Sequence, residues 1–217
     1  MKVDSRVERK FTSGLFRSDF FKKILFLNSF MPLYENRLVN SIYLDNEEYI
    51  FFKKNIDGIS ERKKIRFRWY NHDKKKIFLE EKNKKGFLVT KKITPVNLDL
   101  SNNFKSSINL FMNNNNYNCL RDSNYKCILK TSYVRSYFIS HDKKIRATID
   151  TNLNTSSYEY LYNTIFIPET VLEFKYSPID EIYFRNFFKY VASSLRAVKY
   201  SKYVRSFIEL NNTCLLN

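Results

Sequence analysis

Apolar and polar residues alternate along much of this chain, and the alternation recurs in stretch after stretch. In KKIRFRWY (Lys63 to Tyr70), Arg66 and Arg68 share one face of a strand and Ile65, Phe67 and Trp69 share the other, because successive strand side chains point to opposite sides. VERKF (Val7 to Phe11) sets Arg6, Glu8 and Lys10 against Val7, Arg9 and Phe11. IFLEEK (Ile77 to Lys82) groups Phe78, Glu80 and Lys82, and TSYVRSYF (Thr131 to Phe138) groups Tyr133, Arg135 and Tyr137. IRATIDTNL (Ile145 to Leu153) sets Arg146, Thr148 and Asp150 against Ile145, Ala147 and Ile149. VLEFKY (Val171 to Tyr176) sets Glu173 and Lys175 against Leu172, Phe174 and Tyr176. NSIYLDN (Asn40 to Asn46) adds a short strand, and Phe87 to Ile93 completes a meander that Pro95 is expected to stop.

Helical spacing fills the intervals. Ser18-Asp19 start a helix through Phe20, Phe21, Ile24, Leu25 and Leu27, which Met31-Pro32 break. A second passes through Tyr49, Ile50, Phe52 and Lys53 to Gly58. Leu98 to Met112 and the amphipathic run Ile182 to Leu195 are also predicted helices, with a loop from Asn113 to Asn116 and VKYSKYVRSF (Val198 to Phe207) at the end.

A single strand of this kind puts its charges in water. Six in one chain are better explained by an α+β fold whose antiparallel sheet closes on itself, charged face inward and apolar face outward under the helices. Such an interior gathers Arg6, Lys10, Arg66, Arg68, Lys82, Arg135, Arg146 and Lys175 with Glu8, Glu80, Asp150 and Glu173. A dry interior cannot hold those charges, so the lining is expected to be wet and to take a multiply charged anion. Arginine offers forked donors to phosphate oxygens and lysine adds point charges. The carboxylates Glu8, Asp150 and Glu173 suit Mg²⁺ or Mn²⁺, which favour carboxylates together with substrate phosphates.

Composition supports the picture. The 217 residues are 43% hydrophobic, enough for one folded domain over 1–217, and a net charge of +16 points to a polyanionic partner. Cys119, Cys127 and Cys214 form neither a disulfide framework nor a zinc site, which suits a reducing cytoplasm. His72 and His141 sit in turn-like surroundings. No apolar run is long enough for a membrane span, and the charged N-terminus has no signal-peptide core. With three glycines there is no phosphate-cradling glycine loop, so side chains must bind any phosphate.

Taken in order, VERKF, NSIYLDN, KKIRFRWY, FLEEK, SYVRSYF, IRATIDTNL, VLEFKY and SKY resemble the catalytic domain of the vacuolar transporter chaperone (VTC) polyphosphate polymerases, from about Arg6 to Phe207. These belong to the CYTH-like triphosphate tunnel metalloenzymes. The resemblance implies a closed, eight-stranded antiparallel β-barrel that moves the γ-phosphate of ATP onto inorganic polyphosphate with Mn²⁺ or Mg²⁺. It places Lys10, Arg66, Arg68, Lys82, Arg135 and Arg146 as phosphate ligands, Glu173 as the metal-binding glutamate, Tyr133 as a substrate contact, and Lys199 and Lys202 as basic residues near the tunnel mouth. Lys175 joins the substrate-binding set through its face of the strand. Many tunnel enzymes begin with Glu-x-Glu-x-Lys, where this chain has Arg6-Val7-Glu8-Arg9-Lys10. Arg6 in place of an acid argues against the two-metal hydrolytic members. The inositol-phosphate-sensing and membrane domains of the eukaryotic polymerases match no stretch of these residues. A triphosphatase or polyphosphatase on the same tunnel, and a non-catalytic binder of polyphosphate or nucleic acid, are the competing readings.

Overall fold

The computed structural model describes residues 6–14, 17–86, 88–113, 120, 124–189 and 195–214. The chain runs β1 (Val7–Gly14), α1 (Ser18–Leu27), β2 (Phe30–Asp45), α2 (Ile50–Ile56), β3 (Arg62–Tyr70), β4 (Ile77–Lys85), β5 (Leu88–Val96) and α3 (Phe104–Asn113). It continues through β6 (Lys126–Ser140), β7 (Arg146–Ser157), β8 (Ile165–Ile167), β9 (Glu169–Tyr176), a 3₁₀ turn at Pro178–Asp180, α4 (Glu181–Lys189) and α5 (Lys202–Cys214). Cys119, the side chain of Cys214, Phe87, Asn114 to Asn116 and the 190–194 part of the expected last helix lie outside the described residues.

Where the boundaries differ from the expectation, local chemistry gives the reason. The first helix ends before Met31-Pro32, which belong to β2. The α1 helix closes at Asn28, whose N–H returns to Leu25 O, and β2 then starts ten residues before Asn40. Register slips between Pro32 and Tyr34 and between Tyr34 and Arg37 destroy the period-two signal there. The strand β5 runs through Pro95 to Val96 because it is an edge, where the missing N–H costs no ladder bond. The α3 helix begins at Phe104 rather than Leu98. Asp99 accepts the Ser101 N–H in a turn, and Asn103 accepts that of Ser106 as the helix starts.

The sheet is nine-stranded and antiparallel, in the order β1-β9-β7-β6-β2-β3-β4-β5, with β8 on β7. Among the described residues no backbone ladder joins β1 to β5 or β4, so the expected closure into an eight-stranded barrel is not made by hydrogen bonds. The free edge on β5 carries Lys91, Lys92 and Pro95, residues that discourage pairing. A side-chain link crosses instead: Lys82 on β4 donates to both carboxylate oxygens of Glu8 on β1 at 2.8 Å.

The face assignments hold. Ile65, Phe67, Trp69 and Leu79 are buried in a core with Phe51, Ile108 and Tyr203 of the helices α2, α3 and α5. Phe11, Ala147, Ile149, Leu172 and Phe174 are buried with Phe21 and Leu25 of α1 and Phe184 of α4. Helices thus cover the apolar face on both sides, and the charged face is left to line an interior. Arg9, on the apolar face of β1, reaches Glu181 at 2.5 Å and the Tyr176 hydroxyl at 2.6 Å, and so ties α4 to the sheet.

Candidate functional site

A cavity of about 270 Å³ lies inside the curved sheet, bounded by side chains of β1 to β6, β9 and the start of α5. Alternation along β3 sends Lys64, Arg66 and Arg68 into it, while Ile65, Phe67 and Trp69 go to the core. Glu80 is the hub of one wall. It accepts from Arg66 Nε at 2.8 Å and Nη2 at 2.6 Å and from Lys91 at 2.9 Å, with Arg68 at 3.6 Å. Burial raises the Glu80 carboxyl, but these cations outweigh it and hold it far below the ordinary range.

Asp150 is the hub of the opposite wall. Arg135 grips it with Nε at 2.6 Å and Nη2 at 2.7 Å, and Lys202 reaches it at 2.5 Å. Burial opposes its charge, yet Arg135 and Lys202 bring the carboxyl down to about 2. Between the walls sits Tyr133, fully buried, its hydroxyl accepting from Arg68 at 3.2 Å and its ring under the Lys202 ammonium at 4.4 Å. Burial raises the Tyr133 phenol, and Arg135, Arg68 and Lys202 reverse this and bring it to about 8.

Of the residues expected at the site, Lys10, Arg66, Arg68, Lys82, Arg135, Tyr133, Lys175, Lys202, Glu8 and Glu173 all line this cavity. Lys199 lines an adjoining chamber of about 610 Å³ and donates to the Asn55 carbonyl. Two expected residues stand apart. Arg146 lies at the start of β7, opposite Lys175, and is exposed outside the cavity lining. Asp150 is buried behind the lining, where its two oxygens accept from Arg135 and Lys202.

Sequence reasoning passed over Lys64 and Lys91. Lys64 continues the Arg66/Arg68 face by one more step of two, so the signal was present. Its Nζ donates to Ser201 Oγ at 2.8 Å and, among the described residues, meets no carboxylate. Burial, then Lys10, Lys82 and Arg66, push its ammonium well below the usual lysine value. Lys91 was obscured by its neighbour Lys92, since either could have faced inward. Burial brings Lys91 to about 8 against the pull of Glu80.

Among the described residues no cluster of three or more His, Cys, Asp or Glu could cage a metal. Glu173 is nevertheless open: its nearest cations, Lys175 at 3.5 Å and Arg135 at 3.8 Å, are beyond ordinary charged hydrogen bonds. Burial would raise its carboxyl, and Lys175, Lys10 and Arg135 hold it well below the normal value, so it is a carboxylate. Glu173, with Glu8 near it on the next strand, fits an ion that takes one or two carboxylates and completes its shell on phosphate oxygens.

The site is thus a cavity rich in arginine and lysine within a curved antiparallel sheet, with the Glu173 carboxylate on its lining. The chain belongs to the VTC domain family, whose sequence profile matches residues 5–210. No curated protein sequence matches it significantly. Among solved structures it is similar to a conserved Pyrococcus furiosus protein (12% identity, 93% of this chain and 99% of the other, TM-score 0.55). It is also similar to a Pyrococcus horikoshii protein (15% identity, 94% and 98%, TM-score 0.53). A third is a Hippeastrum protein assigned as an adenylyl cyclase, in which triphosphatase activity dominates (13% identity, 92% and 96%, TM-score 0.53). At these identities the likeness is one of fold. Among the described residues no helix is long and apolar enough to cross a membrane.

Proposed function

We propose that this chain is a metal-dependent polyphosphate polymerase, which transfers the γ-phosphate of ATP to inorganic polyphosphate inside the cavity. The observation that carries the reading is the juxtaposition of Arg66, Arg68, Arg135 and Lys82 around one buried, open carboxylate, Glu173, in a VTC domain. Phosphoryl transfer asks chiefly for alignment and charge neutralisation, and there is little covalent work for the protein to do. Arg66 and Arg68 present planar guanidinium groups already held by Glu80, so they need not be reorganised when phosphate arrives. Arg135, fixed by Asp150, faces them across Tyr133. Glu173, with Glu8 beside it, would hold a divalent ion, whose charge would help neutralise the phosphate groups.

The acceptor in such a reaction is itself a phosphate oxygen, and Lys10, Lys82 and Lys175 lie where they can screen it from the donor. The test is to supply ATP labelled at the γ-phosphate with Mn²⁺ and a short polyphosphate primer. Label in lengthened chains supports a polymerase. Label released only as free phosphate would make the protein a hydrolase on the same cavity.

A further inference from the structure

The cavity has two ends of unlike chemistry. At one, it merges with the 610 Å³ chamber through Lys10, Lys64, Lys82 and Ser201. There Lys10 donates to Tyr200 O at 3.1 Å and Lys64 to Ser201 Oγ at 2.8 Å, and Lys199 donates to Asn55 O. These are neutral oxygens, readily exchanged for those of an anion. At the other end the lining includes Tyr137, and on the rim beside it stand Tyr34 and Arg37. The Tyr34 and Tyr137 rings lie 5.6 Å apart at 79°, and the Arg37 guanidinium is 5.6 Å from the first and 5.9 Å from the second. Tyr34 is 57% exposed, and no described carboxylate pairs with Arg37. The two register slips of β2 flank Tyr34, and such bulges at a sheet's rim re-aim side chains.

We infer that the Tyr34–Arg37–Tyr137 rim receives the nucleoside of the phosphate donor, while the lysine-lined chamber holds the phosphate chain. Donor and acceptor then approach the arginines from opposite ends. The inference rests on the proposed polymerase reading for its choice of ligands, and on the asymmetry of the two ends for its content. A nucleobase has a flat π-face that tyrosine rings and a guanidinium plane can stack on. An inorganic phosphate chain has no such face and needs only cations, which the lysine end supplies.

Equilibrium binding to the full chain tests this, with a non-hydrolysable ATP analogue, inorganic tripolyphosphate and long polyphosphate as probes. Tyr34→Ala combined with Arg37→Lys, which keeps the charge and removes the planes, should weaken the ATP analogue about ten-fold. Tripolyphosphate binding should be unchanged in that variant, which also reports that it is folded. Tyr34→Phe keeps the ring and should bind the analogue as the parent does. Lys64→Gln should weaken long polyphosphate. Equal losses for the analogue and tripolyphosphate in the double variant, or no loss of either, would overturn the assignment. So would Lys64→Gln sparing polyphosphate. Because binding is measured without turnover, the expected pattern in a protein that makes no chains would refute the polymerase and leave the two-ended cavity standing.

Discussion

Glu80 neutralises Arg66, Lys91 and Arg68 with one buried carboxylate. Removing it leaves the buried Arg68 and the partly buried Arg66 and Lys91 without their shared carboxylate, a change of the kind that costs up to about 3–5 kcal/mol. Glu80→Gln should therefore destabilise the fold by about that amount in urea titration, whereas Arg66→Ala should cost less, since Lys91 and Arg68 stay on Glu80. Equal stabilities for the two variants would contradict the hub role. Asp150 makes a pH prediction. Its folded pKa of about 2 lies below the ordinary aspartate value of about 3.9, so between those limits the unfolded chain binds more protons. Stability is then fully present above about pH 4 and falls as the pH drops toward 2. Thermal melts stepped through that range should show the decline, with a shallower slope in Asp150→Asn; an identical slope would contradict the assignment.

Much of the site was legible at this scale because period-two alternation fixes a side chain's face without knowing its neighbours. That rule puts Arg66, Arg68, Arg135, Glu173 and Lys10 on the faces that line the cavity. What could not be read was partnership. That Lys202 of α5 sits on Asp150 of β7 depends on how a helix crosses a sheet. That Arg146 is exposed, although it shares a face with Thr148 and Asp150, depends on where the lining ends.

Among the elements, β2 carries the most structure with the least signal. Its second half was read from NSIYLDN, but its bulged first half hid behind Met31-Pro32, and the three-residue β8 gave no pattern at all. Asp45, its last residue, accepts the Phe51 and Phe52 N–H groups at 3.0 Å each, which starts α2. The same carboxylate accepts the Tyr203 hydroxyl of α5 at 2.7 Å. One side chain thus binds β2, α2 and α5, and α5 is the helix that brings Lys202 to the cavity. Tyr203→Phe should cost about 1.5–3 kcal/mol, the worth of a hydrogen bond to a charged group, with an unchanged urea m-value. A neutral effect would mean that packing against Tyr43 holds α5 without it.

For the molecule as a whole, the sequence foresaw the inside-out sheet and missed how it is shut. Charged faces that must converge demand curvature, but they do not say which strands pair at the seam. Here Lys82 and Glu8 span the seam where a ladder was expected. An ion pair can yield to an entering polyanion more easily than a row of backbone hydrogen bonds.

In the proposed function, the cavity builds phosphate chains with Glu173 and the arginines of β3. Its most direct test is to incubate the protein with ATP and Mn²⁺ and resolve the products by chain length on a gel, with Glu173→Gln and Arg66→Ala alongside. Long chains are expected from the parent protein, and at least about a hundred-fold less from either variant, the scale on which lost transition-state charge stabilisation is felt. Chains undiminished in both variants, or free phosphate in place of chains from the parent, would contradict it.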